Sequence, residues 1–235
     1  MKDKIITAAE AAAMIPDGAS VMIGGFMANG SPEAIMDALV EKNAQDLTVF
    51  CNDGGFGPTF DKETGAEIKG PAGTGKLVKN HSVKKLVATH IGLNKQVAEQ
   101  MNKGEMAVTL VPQGSMAEMI RAGGAGLGGV LTPTGVGTEI EDGEFTLEKK
   151  EINGTDYLLM APLKADFALI GGNIVDKKGN VFLKGTTKNF QQVMATAANT
   201  VIVEAEELVE VGEISPDYIQ IPYIFVDYIV VGGNK

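Results

Sequence analysis

A short apolar strand, a glycine-rich turn, a helix start and a second apolar strand follow one another near the N-terminus of this chain. Residues 19–23 form an apolar run bounded by glycine, which is typical of a buried strand. The turn over residues 24–30 leads to Ser31-Pro32-Glu33, which reads as a helix start with Ser31 as N-cap and Pro32 in the first helical position. The next strand is predicted over residues 47–51. Because a helical crossover joins parallel strands, this order predicts an α/β chain built on a parallel sheet.

The same alternation continues to the end of the chain. A Thr7–Glu10 capping box predicts a short helix that stops at Pro16. A hairpin centred on Asn153-Gly154 is predicted within residues 145–160. Further strands are predicted over residues 85–89, 106–111, 166–170, 181–184, 200–204 and 224–231, and further helices over residues 34–40, 94–102, 116–122 and 190–198. We expect one domain over residues 1–235, an open, mostly parallel sheet with helices on both faces and a small antiparallel insert, with residues 53–80 as the longest irregular excursion.

Charge and cysteine content exclude several classes of protein. The 235 residues carry a net charge of −10, and no run of Lys or Arg is longer than a pair, so nucleic acid is not an expected partner. The single cysteine, Cys51, cannot form an internal disulfide, which fits a reducing compartment. Glu10 interrupts the first apolar run, and the longest uncharged stretch, residues 122–138, is short and rich in glycine. We therefore expect no signal peptide and no membrane span, and a cytoplasmic location or, failing that, an organelle matrix.

Two glycine-rich segments imitate nucleotide-binding loops. Residues 70–76 match the spacing of a P-loop up to Lys76, but Leu77 stands where a hydroxyl must bind magnesium and no apolar strand precedes Gly70. Residues 124–129 match the spacing of a dinucleotide-binding loop, but they follow a predicted helix instead of a strand. Both segments are therefore interpreted as turn-rich loops.

Metal and nucleophile chemistry find little support in the sequence. His81 and His90 are the only histidines, and neither has the spacing of a metal site, so no metal is expected. Cys51 closes an apolar strand, which favours a buried, inert thiol. The segment around Ser115 lacks the G-x-S-x-G nucleophile elbow of hydrolases.

Neutral amides stand where predicted parallel strands end. Asn52 follows the strand over residues 47–51, and Gln113 follows the strand over residues 106–111. Ligands of open α/β sheets bind at this carboxyl edge, and an amide can hold a carboxylate or a developing oxyanion without titrating. Predicted helix N-termini at Ser31 and Ser115 add positive dipole ends. A small anionic acid is the substrate class that this edge indicates, although turn and capping chemistry would explain the same residues.

The same segments resemble the alpha subunit of family I coenzyme A transferases, the 3-oxoacid, acetoacetate and acetate type. The family signature is an apolar strand that runs into G-G-F, three residues and G-x-P, here Gly24-Gly25-Phe26-Met27-Ala28-Asn29-Gly30-Ser31-Pro32. Later family blocks follow in order over nearly the whole chain, at residues 111–115, 120–129, 131–138, 166–170, 188–190 and 221–227. The resemblance implies the fold that these transferases share with sugar-phosphate isomerases.

The resemblance also implies a reaction, a partner and site residues. Family members move coenzyme A from an acyl-CoA to a free carboxylate through a glutamate in a Ser-Glu-Asn-Gly segment of the beta half, and no such segment occurs in this sequence. The chain is therefore expected to supply half of a site, to work with a beta subunit as αβ, α2β2 or a larger assembly, and to need no cofactor besides coenzyme A as substrate. Asn52 and Gln113 match family residues that face the catalytic glutamate and the acyl group. The residues expected to border the same cleft are Gly24, Gly25, Phe26, Asn29 and Gly30.

Two other functions stay open at the level of sequence. A sugar-phosphate isomerase of the same fold would need its own base and phosphate-binding lysines, and the sequence identifies neither. An acyl-CoA-binding subunit without catalytic activity is the second alternative.

Overall fold

The computed structural model of this protein describes residues 4–232. The strands are β1 (Ile5–Ile6), β2 (Ser20–Ile23), β3 (Leu47–Cys51), β4 (Thr59–Phe60), β5 (Glu67–Lys69), β6 (Val83–Ala88), β7 (Ala107–Leu110), β8 (Val130–Thr132), β9 (Thr146–Ile152), β10 (Thr155–Met160), β11 (Ala165–Asp176), β12 (Val181–Phe182), β13 (Ala198–Val209) and β14 (Tyr228–Val231). The α-helices are α1 (Ala8–Met14), α2 (Glu33–Glu41), α3 (Gly75–Lys79), α4 (Lys95–Asn102), α5 (Gln113–Ala125) and α6 (Gln191–Met194). Short 3₁₀ helices span Gly185–Lys188, Pro216–Tyr218 and Tyr223–Phe225. The ends of the predicted domain, residues 1–3 and 233–235, lie outside the described residues.

One large, mostly parallel sheet organises the chain. Its strands lie in the order β1-β14-β13-β11-β2-β3-β6-β7, with β12 paired to β11 beside this path. Among the residues that the structure describes, the neighbouring pairs along this path are parallel, and β12 of the same sheet runs antiparallel to β11. The predicted fold class, an open and mostly parallel sheet, is confirmed.

Helices cover both faces of this sheet because successive side chains of a strand point to opposite faces. Met22 of β2 belongs to one buried cluster, which also contains core residues of α5 and α6. Its neighbours Val21 and Ile23 belong to a second buried cluster, which contains core residues of α1, α2, α3 and α4. The core therefore consists of two apolar layers, one on each side of the sheet. Within residues 4–232, no helix combines the length and the apolar character needed to cross a bilayer.

Two small antiparallel units project from the main sheet. The predicted hairpin is present as β9 and β10, with Asn153 and Gly154 at φ angles of 53° and 77° in its turn, and β8 pairs with β10 to complete a three-stranded sheet. The region 53–80, which was expected to be irregular, is more ordered than the sequence suggested. It contains the two-stranded unit β4–β5 and the short helix α3.

The predicted cap of α2 is wrong. The helix begins at Glu33, and Pro32 occupies the N-cap position, where it makes no side-chain capping bond. The carboxylate of Glu204, on β13, instead accepts the N–H groups of Ala34 and Ile35 at 3.1 and 2.9 Å. A carboxylate that is distant in sequence thus makes the capping hydrogen bonds that were predicted for Ser31. This is possible because the first turn of a helix leaves amide donors that any nearby acceptor can satisfy.

Two further boundaries differ from the prediction. Helix α5 begins at Gln113, with Pro112 as N-cap, so Ser115 lies inside the first turn and does not cap the helix. The helix predicted over residues 190–198 is shortened to α6, because Phe190 has a left-handed φ of 61° and the chain enters β13 at Ala198.

The partly buried position of Glu204 gives a testable pH dependence. Burial raises the pKa of Glu204 above the ordinary value of 4.5, and the amides of Ile35 and Ala34 offset this only in part. A carboxyl group with a raised folded-state pKa stabilises the fold fully below its unfolded pKa, and this stabilisation is lost as the pH rises through its folded pKa. We expect part of the unfolding free energy of the native chain to be lost as the pH rises above 4.5, and this part to be absent from Glu204→Gln.

Urea unfolding of both proteins between about pH 5 and pH 8 measures how the free energy of unfolding of each protein changes with pH. Glu207→Gln, at an exposed position on the same strand, is the matched control. A Glu204→Gln variant with the same pH slope as the native chain would contradict the expectation.

Candidate functional site

The strand order reverses beside β2. From β2 the chain continues outward through β3, β6 and β7 on one side, whereas β11, β13 and β14 lie on the other. In open α/β sheets, ligands bind outside the carboxyl ends of the strands at such a reversal. Residues 24–30, called the glycine loop here, leave β2 at this point, and Asn52 leaves β3 beside them.

The buried side chain of Gln191 holds the glycine loop against β11. Its Oε1 accepts the N–H of Gly171 at 3.1 Å, and its Nε2 donates to the carbonyl of Gly30 at 2.7 Å. A Cβ at Gly24 would lie 1.9 Å from Oε1 of Gln191, and a Cβ at Gly171 would lie 2.2 Å from the carbonyl oxygen of Gly30. A Cβ at position 171 would clash with backbone, which requires glycine there, whereas a Cβ at position 24 would force the Gln191 side chain to move.

The tip of the glycine loop is a tight turn with an unusual backbone. Phe26 and Asn29 exchange two backbone hydrogen bonds, while Met27 and Ala28 have left-handed φ angles of 50° and 61°. Residues with side chains adopt this conformation at a cost, which the surrounding structure must offset. The buried carboxylate of Asp53 supplies one such contact, since it accepts the N–H of Met27 at 2.8 Å.

Asp53 also fixes the next loop. Its second oxygen accepts the N–H of Gly55 at 2.9 Å, so one side chain joins the loops that follow β2 and β3. Phe26 and Met27 keep exposed side chains at the rim of the site.

Four polar side chains meet at the carboxyl edge, and we call Asn52, Thr89, Gln113 and Asn189 the amide cluster. Asn52 Nδ2 donates to Asn189 Oδ1 at 2.8 Å. Asn52 Oδ1 accepts from Thr89 Oγ1 at 2.9 Å and from Gln113 Nε2 at 3.3 Å. The structure thus brings together Asn52 and Gln113, which are 61 residues apart in sequence.

Asn52 and Gln113 differ in access to solvent. Asn52 is 1% exposed, whereas Gln113 is exposed at the first position of α5. The amide of Gln113 has two N–H donors, one of which is directed at Asn52, so the other can meet a ligand. Asn52 is placed to orient Gln113. That either residue binds a substrate stays a prediction.

The structure also shows the surroundings of the cysteine, the lysine and the histidine that the sequence singled out. Cys51 is buried, as predicted, and burial raises the pKa of its thiol to about 12, which disfavours the thiolate. Lys76, at the end of the P-loop-like segment, forms ion pairs with Glu33 at 2.7 Å and Asp37 at 2.6 Å. His81 is exposed and lies 3.5 Å from Glu105. Within residues 4–232, no group of three or more His, Cys, Asp or Glu side chains could hold a metal ion.

An acidic cavity of about 440 Å³ opens beside the glycine loop. Glu33, Glu204 and Glu206 line it together with residues of the glycine loop and of β11. Three carboxylates in one cleft disfavour a polyanionic ligand at this place.

The residues that support the site were not predictable from the sequence. Gln191, Asp53 and Thr89 carry no local pattern that distinguishes them from other polar residues. Asn189 appeared only within a segment of family resemblance. Their roles depend on which loops the sheet order brings side by side.

Comparison with known proteins gives one family for nearly the whole chain. Residues 5–232 match the coenzyme A transferase family. The chain is 46% identical to the acetoacetyl-CoA:acetate/butyrate CoA transferase alpha subunit of Clostridium acetobutylicum, over 98% of each protein. It is 43% identical to the acetate CoA-transferase subunit alpha of Escherichia coli K12, over the full length of both.

Solved structures share the fold at low sequence identity. The acyl-CoA transferase of Escherichia coli O157:H7 superposes with a TM-score of 0.80 at 20% identity, over 98% of this chain and 47% of that one. This chain therefore spans about half the length of that protein. Glutaconate coenzyme A-transferase of Acidaminococcus fermentans gives a TM-score of 0.79 at 20% identity, over 97% of this chain and 75% of that one.

The packing at Gly24 predicts a specific sensitivity to a single methyl group. Gly24→Ala would place a Cβ against Gln191 Oε1, so Gln191 would lose its hydrogen bond to Gly171 or to Gly30. We expect the free energy of unfolding to fall by about 1–3 kcal/mol, the usual cost of overpacking. Denaturant unfolding measures this value.

Gly70→Ala is the matched control, because a Cβ there would meet only Glu67 Oε1, at an ordinary distance of 3.6 Å. Equal unfolding free energies for the two variants would show that Gln191 does not constrain the glycine loop.

Proposed function

The chain belongs to the coenzyme A transferase family, and from this premise we propose that it is the alpha subunit of a short-chain acyl-CoA:carboxylate CoA-transferase for acetate, butyrate or acetoacetate. The observation that carries the proposal is its identity of 46% and 43%, over nearly full length, to alpha subunits named for these acids. The structural likeness supports the fold only. The choice of acids therefore rests on the sequence relatives.

The contents of the site support a requirement for a partner. The amide cluster supplies neutral donors, and the adjacent carboxylate of Asp53 is buried and bonded to the amides of Met27 and Gly55. A carboxylate held in this way is not free to attack a thioester. We therefore place the nucleophilic glutamate on a beta subunit that closes over the carboxyl edge of the sheet.

The proposed reaction proceeds by covalent exchange. The partner's glutamate attacks the thioester carbonyl, the carbon–sulfur bond breaks, and a mixed anhydride and the CoA thiolate form. The thiolate attacks the glutamyl carbonyl and releases the first acid, which leaves a glutamyl thioester. The second acid takes the coenzyme A by the same steps in reverse. No redox cofactor, metal or ATP enters this balance, and coenzyme A is a substrate.

Gln113 has the main role of this chain in that scheme. Attack on the thioester turns a carbonyl oxygen into an oxyanion, and the free N–H of the Gln113 amide can donate to it. Asn52 accepts the other Gln113 donor, while Thr89 and Asn189 hold Asn52 in place. A neutral donor that is held before the reaction begins stabilises the developing charge without a reorganisation cost.

The net charge of −10 bears on how coenzyme A is held. Its phosphates are anionic, and Lys76, in the P-loop-like segment, is already paired with Glu33 and Asp37. We therefore assign most phosphate contacts to the beta subunit.

Reconstitution tests the proposal directly. We expect the purified chain alone to transfer no coenzyme A from acetoacetyl-CoA to acetate, and the chain co-purified with its partner from its own cells to do so. Intact mass spectrometry identifies the partner, and borohydride trapping in the presence of acyl-CoA marks its glutamate. Full transfer activity by the chain alone would contradict the half-site proposal.

Substitution of Gln113 tests its role as oxyanion donor. We expect Gln113→Ala in the reconstituted enzyme to lower kcat by about 10²–10³-fold, the usual effect of losing one such donor. Gln192→Ala, at an exposed glutamine in the first turn of α6, is the control and should leave kcat unchanged. An unchanged kcat in Gln113→Ala would remove Gln113 from the mechanism.

A further inference from the structure

Three side-chain amides of the amide cluster form a row in which the nitrogen of one donates to the oxygen of the next. Gln113 Nε2 donates to Asn52 Oδ1 at 3.3 Å, and Asn52 Nδ2 donates to Asn189 Oδ1 at 2.8 Å. Asn52, in the middle of the row, is 1% exposed, whereas Asn189 is half-buried and Gln113 is exposed. A group that arrives at the carboxyl edge of the sheet can therefore meet the two outer amides.

Asn189 ends this row with unused donors. The nitrogen of an asparagine amide carries two N–H groups. Within residues 4–232, no acceptor bonds Nδ2 of Asn189, and this nitrogen does not belong to the fully buried polar atoms that lack a partner, so it reaches solvent. Because Oδ1 of the same planar amide is directed at Asn52, the two N–H groups are free to meet another group.

The backbone beside Asn189 keeps these donors in place. The carbonyl of Asn189 accepts the N–H of Gly25 at 3.2 Å, which ties the residue to the glycine loop. Phe190 follows with a buried side chain and a left-handed φ of 61°, and Gln191 then anchors Gly30. A residue with a side chain adopts such a φ at a cost, so the surrounding contacts hold this segment in one conformation.

The proposed reaction develops negative charge on two different carbonyl oxygens. Attack of the partner's glutamate on the thioester places charge on the acyl oxygen, for which Gln113 is the proposed donor. Attack of the CoA thiolate on the mixed anhydride then places charge on the glutamyl oxygen, before the bond to the first acid breaks. A donor that is already in place where this second charge develops would lower the barrier of the second attack.

We propose that Asn189 is a further catalytic residue, whose free N–H groups donate to the glutamyl carbonyl oxygen while the thiolate attacks that carbonyl. This inference rests on the proposed transferase function and gives the second attack a donor of its own. Asn189 and Gln113 bond opposite ends of the Asn52 amide, so they suit the two neighbouring carbonyl groups of one anhydride. A neutral amide also lies beside an anionic glutamate without repelling it.

Two substitutions in the reconstituted enzyme distinguish a donor from a residue that only supports Asn52. Asn189→Asp keeps an oxygen that can accept from Asn52 Nδ2 but replaces the free N–H groups by an oxygen, whereas Asn189→Ala removes both. We expect each variant to lower kcat for transfer from acetoacetyl-CoA to acetate by about 10²–10³-fold, the usual effect of losing one oxyanion donor.

Asn80→Ala is the matched control and should leave kcat unchanged. Asn80 is also a half-buried asparagine, but it precedes the amino end of β6, and its side chain donates to Ser82 Oγ at 3.0 Å.

The fate of coenzyme A identifies the step that is slowed. When the second attack is slow, the mixed anhydride persists, water cleaves it to the glutamate and the first acid, and coenzyme A leaves as a free thiol. We expect both Asn189 variants to release more free thiol per transfer than the native enzyme, as measured with a thiol reagent. Gln113→Ala slows the first attack, which precedes release of the thiol, so its ratio of free to transferred coenzyme A should stay native.

The outcomes separate this inference from the proposed function. A native kcat in Asn189→Asp beside a lowered kcat in Asn189→Ala would overturn the donor role and leave Asn189 as a support for Asn52. A lowered kcat in Asn189→Asp without additional free thiol would overturn the assignment to the second attack. An equal loss in Asn80→Ala would overturn the special role of Asn189. Absence of transfer by the native pair would overturn the proposed function and this inference with it.

Discussion

The site depends on the close approach of β2 and β11 around one buried amide, Gln191. Its side chain bonds the N–H of Gly171 and the carbonyl of Gly30, so it ties the glycine loop to the strand where the sheet order reverses. The approach leaves no room for a Cβ at Gly24 or Gly171. The positions of the glycine loop and of the neighbouring amide cluster follow from this contact, because the loops at the carboxyl edge pack on one another.

Neutral polar groups suit this edge better than charged ones would. Asn52 is almost fully buried and has hydrogen-bond partners at both ends of its amide, so its burial carries little penalty. A carboxylate there would repel the anionic groups of substrates. It would also repel the partner's glutamate, which is proposed to lie at this edge. The net negative charge of the chain is consistent with the proposal that the beta subunit supplies the cationic contacts to coenzyme A.

Much of the fold was predictable because its signals are local. Apolar runs and glycine turns identified the strands, and Asn153-Gly154 identified the hairpin. The cap of α2 was not predictable, since Glu204 is about 170 residues away from the amides that it accepts. The ordered part of residues 53–80 was missed for a related reason: β4 and β5 have two and three residues, which is too short for a periodic pattern.

The sequence by itself determined the parallel α/β class, the glycine loop, and Asn52 and Gln113 as amides at strand ends, because each depends on neighbours within a few residues. Tertiary structure alone decided that Gln113 is exposed and bonds a buried Asn52, and that Gln191 and Asp53 hold the glycine loop. It also decided that Glu204 of β13 caps helix α2. The physical reason is the strand order, which places loops that are distant in sequence side by side at one edge of the sheet. The partners of a side chain there depend on which loops are neighbours in the fold and not on which residues are near in sequence.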